Sequence, residues 1–132
     1  MDKKIKVLMT HFDYEIHDRG IRHVMHGLRD AGMEVVFTRF RYPEEIVATA
    51  EQEDVDAIGI SSLSGGHMYV CEQVMKMLKE KKLEHILVVV GGIMSDVEVE
   101  RLIGMGIKGV FRAGTLISDI VDFVTSNVAV RA

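Results

Sequence analysis

Short apolar runs alternate with stretches of helical periodicity along the whole chain. Each run holds four or five residues, and the first, third and fifth runs are followed by apolar residues spaced three and four positions apart. The first pattern is typical of buried strands and the second of one face of a helix. The runs predict five strands: Ile5–Met9, Glu34–Thr38, Ala57–Ile60, Ile86–Val90 and Ile107–Phe111.

Helix signals fill the intervals between these strands. Gly32 marks the end of the first helix, and Pro43 stands at an early position of the second, where proline is favoured. Ser95 or Asp96 is expected to cap the fourth helix, which reaches roughly Met105. Apolar residues at helical spacing mark the first, third and fifth helices: Ile21, Val24, Met25 and Leu28; Cys71, Val74, Met75 and Leu78; Ile117, Ile120, Val121, Val124 and Val128.

The alternation predicts one α/β domain over residues 1–132. Short right-handed crossovers require a parallel sheet with helices on both of its faces. For five strands the favoured order is 2-1-3-4-5, the flavodoxin-like arrangement. Ligands of this arrangement bind at the carboxyl edge of the sheet, at the switch point between strands one and three.

Glycines cluster in the loops expected at that edge. Gly20 ends the loop after strand one, and Gly65–Gly66, Gly91–Gly92 and Gly114 follow strands three, four and five. Glycine lets a backbone approach a ligand closely or adopt a positive φ. Any one of these glycines can also simply form a turn, but four such loops on one edge favour a broad ligand-binding surface.

Composition narrows the class of protein further. The 132 residues are 48% hydrophobic and 27% charged, which suffices for one core and argues against disorder. The net charge of −4 gives no reason to expect nucleic acid or an anionic membrane as a partner. The single cysteine, Cys71, fits a reducing cytoplasm, and its place on an apolar helix stripe favours a buried side chain over a reactive thiol. The chain shows no signal-peptide pattern and no apolar run of about 18 residues, so we expect a soluble cytoplasmic protein.

Three motifs at the expected ligand edge carry a family resemblance. They are Glu15-Ile16-His17-Asp18-Arg19-Gly20, Ser61-Ser62-Leu63 and Gly91-Gly92. In their order and on their loops they resemble the Asp-x-His-x-x-Gly, Ser-x-Leu and Gly-Gly motifs of the cobalamin-binding domain of adenosylcobalamin-dependent mutases. Longer stretches at 17–20, 28–32, 43–47 and 61–67 are similar to the acyl-CoA mutase branch, which includes methylmalonyl-, 2-hydroxyisobutyryl- and isobutyryl-CoA mutases.

The resemblance implies a role for each motif. His17 is expected to replace the cofactor's own dimethylbenzimidazole as the lower axial ligand of cobalt, and Glu15 to accept a hydrogen bond from the other ring nitrogen of His17. The displaced nucleotide tail is expected in the cleft between strands one and three, in a pocket formed by Ser61, Leu63, Gly91, Gly92 and Thr115. Further residues expected at the cofactor are Ile16, Asp18, Arg19, Gly20, Gly65 and Gly114.

Three positions depart from the family pattern. Glu15 and Ile16 stand where the family has aspartate and a small residue, usually glycine. Glutamate is one methylene longer, so its carboxylate must fold back, or His17 must shift, to keep their hydrogen bond. His11 stands where the methylmalonyl-CoA mutases commonly have a lysine. His17 remains the expected ligand, while the strength of its bond to cobalt is left open.

The resemblance implies the cofactor-binding subunit of an acyl-CoA mutase, an isomerase that moves a group between neighbouring carbons by radical chemistry. It also implies adenosylcobalamin as cofactor and a large TIM-barrel catalytic subunit as partner, because a barrel needs about 250 residues and this chain has 132. A G-protein chaperone is a second expected partner. No catalytic residue is assigned to this chain, and the acyl group is left open. A separate subunit and a domain excised from a longer protein are both compatible with the sequence.

Two other functions stay open at this point. A corrinoid carrier for methyl transfer resembles this domain but usually has a helical cap before it, and no such cap is expected from this sequence, in which strand one begins at Ile5. A signalling receiver domain needs a phospho-acceptor aspartate at the end of strand three, where this chain has Ser61-Ser62. His23 and His26, three positions apart on the first helix, are expected on exposed helix surface rather than as metal ligands.

Overall fold

A computed structural model gives the fold and describes residues 4–12, 19–62 and 67–129. Strands and helices alternate throughout, as the hydrophobic pattern predicts. The strands are β1 (Lys6–Phe12), β2 (Glu34–Phe40), β3 (Ala57–Ser62), β4 (Leu87–Gly92) and β5 (Gly109–Arg112). The helices are α1 (Arg19–Asp30), α2 (Pro43–Glu53), α3 (His67–Glu80), α4 (Asp96–Gly104) and α5 (Ile117–Asn127).

All five strands are parallel and lie in the order β2-β1-β3-β4-β5. The predicted flavodoxin-like α/β architecture is therefore confirmed. The register aligns Met9 with Gly59 and Gly59 with Val89 in the middle of the sheet. Because the strands are parallel and in register, their carboxyl ends meet along one edge, and the loops that follow them share that edge.

Successive side chains of the strands point to opposite faces of the sheet, and each face has its own buried cluster. Leu8, Ile58 and Val88 pack with residues of α2, α3 and α4. Val7, Met9, Ala57 and Val89 pack with residues of α1 and α5 instead. The sheet therefore has a three-helix face, on which α3 contacts both α2 and α4, and a two-helix face, on which α1 contacts α5.

The strands extend further at their carboxyl ends than the hydrophobic pattern predicts. His11 and Phe12 belong to β1 and not to the following loop, and Gly91 and Gly92 belong to β4. The ladder of backbone hydrogen bonds continues through polar residues and glycines, which the apolar pattern does not mark. Gly20 is likewise in the first turn of α1, not at the end of a loop.

Side chains fix the first turns of α2 and α4. The Glu45 carboxylate accepts hydrogen bonds from the backbone N–H groups of Arg41 and Tyr42 at 2.7 and 2.9 Å. These two bonds, that from Arg41 first, hold the pKa of Glu45 below its ordinary value. At α4, Ser95 Oγ accepts from the N–H of Glu98 at 3.2 Å, so Ser95 rather than Asp96 is the cap.

Within these described residues, none of the helices is both long and apolar enough to cross a membrane.

Cys71 provides a test of the packing on the three-helix face. Its side chain is fully buried on α3, as the sequence predicts, and this burial raises the pKa of the thiol to about 12. Because the thiolate is the nucleophile, we expect almost no reaction of the folded protein with a disulfide reagent such as DTNB at pH 8. In guanidinium chloride one thiol per chain should react quickly. Rapid labelling of the folded protein would contradict this packing of α3.

Candidate functional site

A cavity of about 240 Å³ lies between the sheet and the helices α1 and α5. Residues of β1, β3, β4 and β5 line one side of it, and residues of α1 and α5 line the other. It extends to the carboxyl ends of the strands, since Ser61, Gly92 and Arg112 belong to its lining. The cavity thus lies at the edge where this fold binds ligands, beside the switch from β1 to β3.

The inner part of the cavity is apolar. Val7, Met9 and Val89 contribute buried side chains from the sheet, and Leu28 and Val124 contribute them from the helices. An apolar interior combined with a few convergent polar groups is typical of sites for small molecules and cofactors.

Polar groups lie at the carboxyl-edge end of the cavity. They come from Ser61 at the end of β3, Arg112 at the end of β5, Thr115 in the next turn and His23 on α1. Thr115 donates to the carbonyl oxygen of Arg112 through its hydroxyl at 2.7 Å and through its backbone N–H at 3.1 Å, which fixes the turn after β5. The Arg112 guanidinium is paired with Asp96, with Nη2 and Oδ1 2.6 Å apart. The cavity therefore has an apolar inner end and a polar outer end.

One row of residues crosses the sheet at the outer end of the cavity. His11 pairs with Ser61, Ser61 with Gly91, and Gly91 with Phe111. These positions lie two residues beyond Met9, Gly59 and Val89 and so face α1 and α5. His11 is only 2% exposed, and the centroid of its ring lies 5.4 Å from that of Phe37.

Glycines keep backbone exposed along the cavity. A Cβ added to Gly91 would meet only the carbonyl oxygen of Phe111, at 3.6 Å, and one added to Gly20 or Gly114 would meet nothing within 4 Å. Gly114 also has a φ of +95°, which a residue with a side chain adopts only with strain. The structure thus leaves space beside these glycines that side chains could have filled.

Another glycine brings the two helices together over the cavity. Gly27 of α1 faces Ile117 of α5 so closely that an added Cβ would overlap the Ile117 side chain. Because α1 and α5 touch at this point, the two helices form a closed wall on one side of the cavity, and the sheet forms the wall on the other side.

The structure brings six of the residues selected from the sequence together. The following residues line the cavity: Gly20, Ser61, Gly91, Gly92, Gly114 and Thr115. Arg19 begins α1 at the same edge and is exposed. The remaining selected residues lie outside the described part of the chain: Glu15, Ile16, His17, Asp18, Leu63 and Gly65.

Sequence reasoning missed two polar residues of the cavity. His23 is exposed, as expected, but it also lines the cavity one helical turn after Gly20. Its spacing of three from Gly20 could have indicated this position. Arg112 was not singled out, although it ends a strand two positions before Gly114. His26 is exposed on α1, and no group of three or more metal-ligating side chains occurs within residues 4–12, 19–62 and 67–129.

The fold and the cavity define a flavodoxin-like ligand-binding domain whose site is at the carboxyl edge of its sheet. The sequence model of the B12 binding domain family matches residues 5–121. The chain belongs to this family.

Curated relatives of the chain are acyl-CoA mutases. The chain is 39% identical to the small subunit of 2-hydroxyisobutanoyl-CoA mutase from Aquincola tertiaricarbonis, over 96% of this chain and 94% of the relative. It is 42% identical to the small subunit of pivalyl-CoA mutase from Xanthobacter autotrophicus, over 94% of this chain and 84% of the relative. It is also 34% identical to methylmalonyl-CoA mutase from Cereibacter sphaeroides, over 86% of this chain but only 16% of that much longer protein.

Solved structures share the fold at low sequence identity. A cobalamin-binding protein from Desulfitobacterium hafniense superposes with a TM-score of 0.79 at 18% identity, over 96% of this chain and 60% of that one. The chemotaxis protein CheY4 from Vibrio cholerae superposes with a TM-score of 0.72, also at 18% identity, over 96% of this chain and 100% of CheY4. At this identity the likeness shows a common architecture only. β3 ends in Ser61 and Ser62, where a receiver domain requires its phospho-acceptor aspartate.

Gly91 provides a matched pair of variants that tests whether the cavity binds cobalamin. In Gly91→Leu the side chain should fill space between β4 and α5, and we expect the Kd for cobalamin to rise about tenfold or more. In Gly91→Ala the single added methyl has room, so the Kd should change less than about threefold. Absorbance titration measures both, with circular dichroism as a check on folding. Unchanged binding by a folded Gly91→Leu variant would exclude the cavity.

Proposed function

We propose that this protein is the cofactor-binding small subunit of an adenosylcobalamin-dependent acyl-CoA mutase. In this proposal the cavity holds the nucleotide tail of the cofactor, and His17 is the lower axial ligand of cobalt. The observation that carries the proposal is the cavity itself, which lies on the ligand edge and is lined by residues of each of the motifs. The small-subunit relatives, which match over most of their length, support the reaction class.

The cavity suits the chemistry of a nucleotide tail. Its buried side chains, among them Met9, Val89 and Val124, offer an apolar surface to an aromatic base. Ser61 and Thr115 offer hydroxyl groups at the end where a ribose and a phosphate need polar partners, whereas the Arg112 side chain is paired with Asp96 of α4. The glycines beside this end allow close approach to the backbone. The residues that are present therefore fit the group.

His17 has the chemistry that an axial ligand requires. A neutral imidazole nitrogen binds cobalt well, and a partner on the second ring nitrogen sets the orientation and basicity of the ring. Glu15 is the proposed partner of His17, with Ile16, Asp18, Leu63 and Gly65 also at the cofactor. The position of Arg19 supports this assignment, since α1 begins at the cavity's edge two residues after His17 in the sequence.

The chain's contribution to the reaction is binding and positioning. Bound adenosylcobalamin supplies the radical that starts a carbon-skeleton rearrangement. The walls formed by α1, α5 and the sheet would hold the tail and keep water from it, and His17 would hold the cobalt. We assign no proton transfer and no catalytic residue to this chain, because the acyl-CoA is bound elsewhere.

Substrate binding belongs to a larger partner in this proposal. The matched region makes up 16% of the Cereibacter methylmalonyl-CoA mutase, so most of that enzyme lies outside it. In the two small-subunit relatives it makes up most of the chain. We propose a large TIM-barrel catalytic subunit as the partner, a G-protein chaperone as a second one, and the cytoplasm as the location.

A corrinoid methyl carrier would use the same fold, and no observation favours it over the mutase. The upper ligand distinguishes the two functions: a mutase subunit supports turnover with adenosylcobalamin, and a carrier requires methylcobalamin.

The axial ligand can be identified from the cobalt spectrum. With cob(II)alamin we expect a base-off spectrum and an EPR splitting from one protein nitrogen, which changes from a triplet to a doublet when the protein contains ¹⁵N-histidine. His17→Ala should remove the splitting, and exogenous imidazole should restore it. His26→Ala is the control, because His26 lies on the exposed side of α1. An identical splitting in His17→Ala would exclude His17 as the ligand.

Turnover tests the division of labour between the subunits. The isolated chain with adenosylcobalamin should not isomerise 2-hydroxyisobutyryl-CoA, pivalyl-CoA or methylmalonyl-CoA, because it provides no substrate site. Addition of the organism's large mutase chain should give activity with at least one of these substrates, measured by chromatography of the acyl-CoA products. Turnover by the small chain alone would contradict the proposal.

A further inference from the structure

Exposed apolar side chains are concentrated at one edge of the domain. Among the described residues, five of the six large hydrophobic side chains that are exposed lie on the segments that follow the carboxyl ends of strands. Four of these five lie at the starts of α2, α3 and α4 and form what we call the rim patch: Tyr42, Tyr69, Ile93 and Val97, which are 62–66% exposed. Ile103, at the opposite end of α4, is the exception to this distribution.

The rim patch is separate from the cavity. Its residues lie on, or shortly before, the helices of the three-helix face, whereas the cavity lies on the two-helix face, between the sheet and the helices α1 and α5. None of the four residues is part of the cavity lining that the structure describes. A nucleotide tail in the cavity would therefore leave the rim patch uncovered.

Two of the three helix starts that form the rim patch, those of α2 and α4, are held in a defined shape. The hydrogen bonds from Arg41 and Tyr42 to Glu45 fix the start of α2, and the cap of Ser95 fixes the start of α4 between Ile93 and Val97. The ion pair of Asp96 with Arg112 ties the same turn of α4 to the end of β5. Preformed surfaces lose little conformational entropy on association, which favours a protein contact.

We propose that the rim patch binds the large catalytic chain directly, so that the two chains associate even without cobalamin. This inference rests on the proposed function, because it takes the mutase large chain as the occupant. The lengths of the relatives support that choice: a domain of this size accompanies a much larger body of protein in the methylmalonyl-CoA mutases. Exposed tyrosines surrounded by aliphatic side chains are typical anchors of protein interfaces.

The charges around the rim patch define the complementary surface. Glu44 and Glu72 are exposed beside the two tyrosines, one helical turn or less from them, and Arg41 is exposed next to Tyr42. The partner surface should therefore have an apolar centre with charges of both signs at its border, including basic side chains opposite the two glutamates. High salt should therefore weaken the association by screening the charges, but the part of the binding free energy that comes from apolar contacts should remain.

Association can be measured with purified chains. The probe is the organism's large mutase chain, immobilised for surface plasmon resonance and titrated with the small chain without cofactor and with adenosylcobalamin. We expect saturable binding in both conditions. Tyr69→Ser/Val97→Ser should raise the Kd about tenfold or more in both conditions, because it removes two apolar contacts. Ile103→Ser is the control. Ile103 is an exposed aliphatic residue of α4, like Val97, but lies at the opposite end of that helix, so this variant should bind like the original chain.

Each outcome decides a separate point. Binding that requires adenosylcobalamin, or equal binding by Tyr69→Ser/Val97→Ser and the original chain, would overturn the inference. Loss of a small-chain homodimer in this variant, seen by light scattering, would also overturn it by assigning the patch to a second copy. Both variants should keep the original melting temperature and cobalamin spectrum. If the original chain fails to bind cobalamin at all, the proposed function fails, whatever the association experiment shows.

Discussion

The parallel register of β1, β3, β4 and β5 determines where the functional groups of this protein lie. It places His11, Ser61, Gly91 and Phe111 side by side, although they are far apart in the sequence. Because the side chains of a strand alternate between faces, this row points toward α1 and α5. A shift of one residue in any strand would turn its contribution to the other face, so the cavity depends directly on this hydrogen-bond ladder.

The two faces of the sheet have different tasks. On the two-helix face, Gly27 lets α1 and α5 touch, and a cavity remains between them and the sheet. On the three-helix face, Cys71 and its neighbours are buried in the core, and among the described residues most of the large exposed apolar side chains of this face lie at helix starts. In our account one face binds the cofactor tail and the edge of the other binds a protein. This separation lets a domain of 132 residues serve two partners at once.

The fold was predictable from the sequence because the spacing of apolar residues reflects which side chains are buried. The strand order and the cap at Ser95 or Asp96 follow from apolar spacing and from helix-start chemistry, and the structure confirms them. The strand ends were not predictable in the same way, because His11 and Gly91 continue a ladder that depends on backbone hydrogen bonds alone. Apolar spacing also could not predict Arg112 or the cavity position of His23. Whether a polar residue lines a cavity depends on how the helices pack on the sheet. The assignment of His17 and Glu15 stays a prediction.

A crystal structure of the protein with bound cobalamin tests the central claim most directly. The account predicts cobalt bonded to an imidazole nitrogen of His17, with the dimethylbenzimidazole lying between the sheet and the helices α1 and α5, near Ser61 and Gly91. Cobalt still coordinated by its own dimethylbenzimidazole, with no tail between the sheet and these helices, would contradict it.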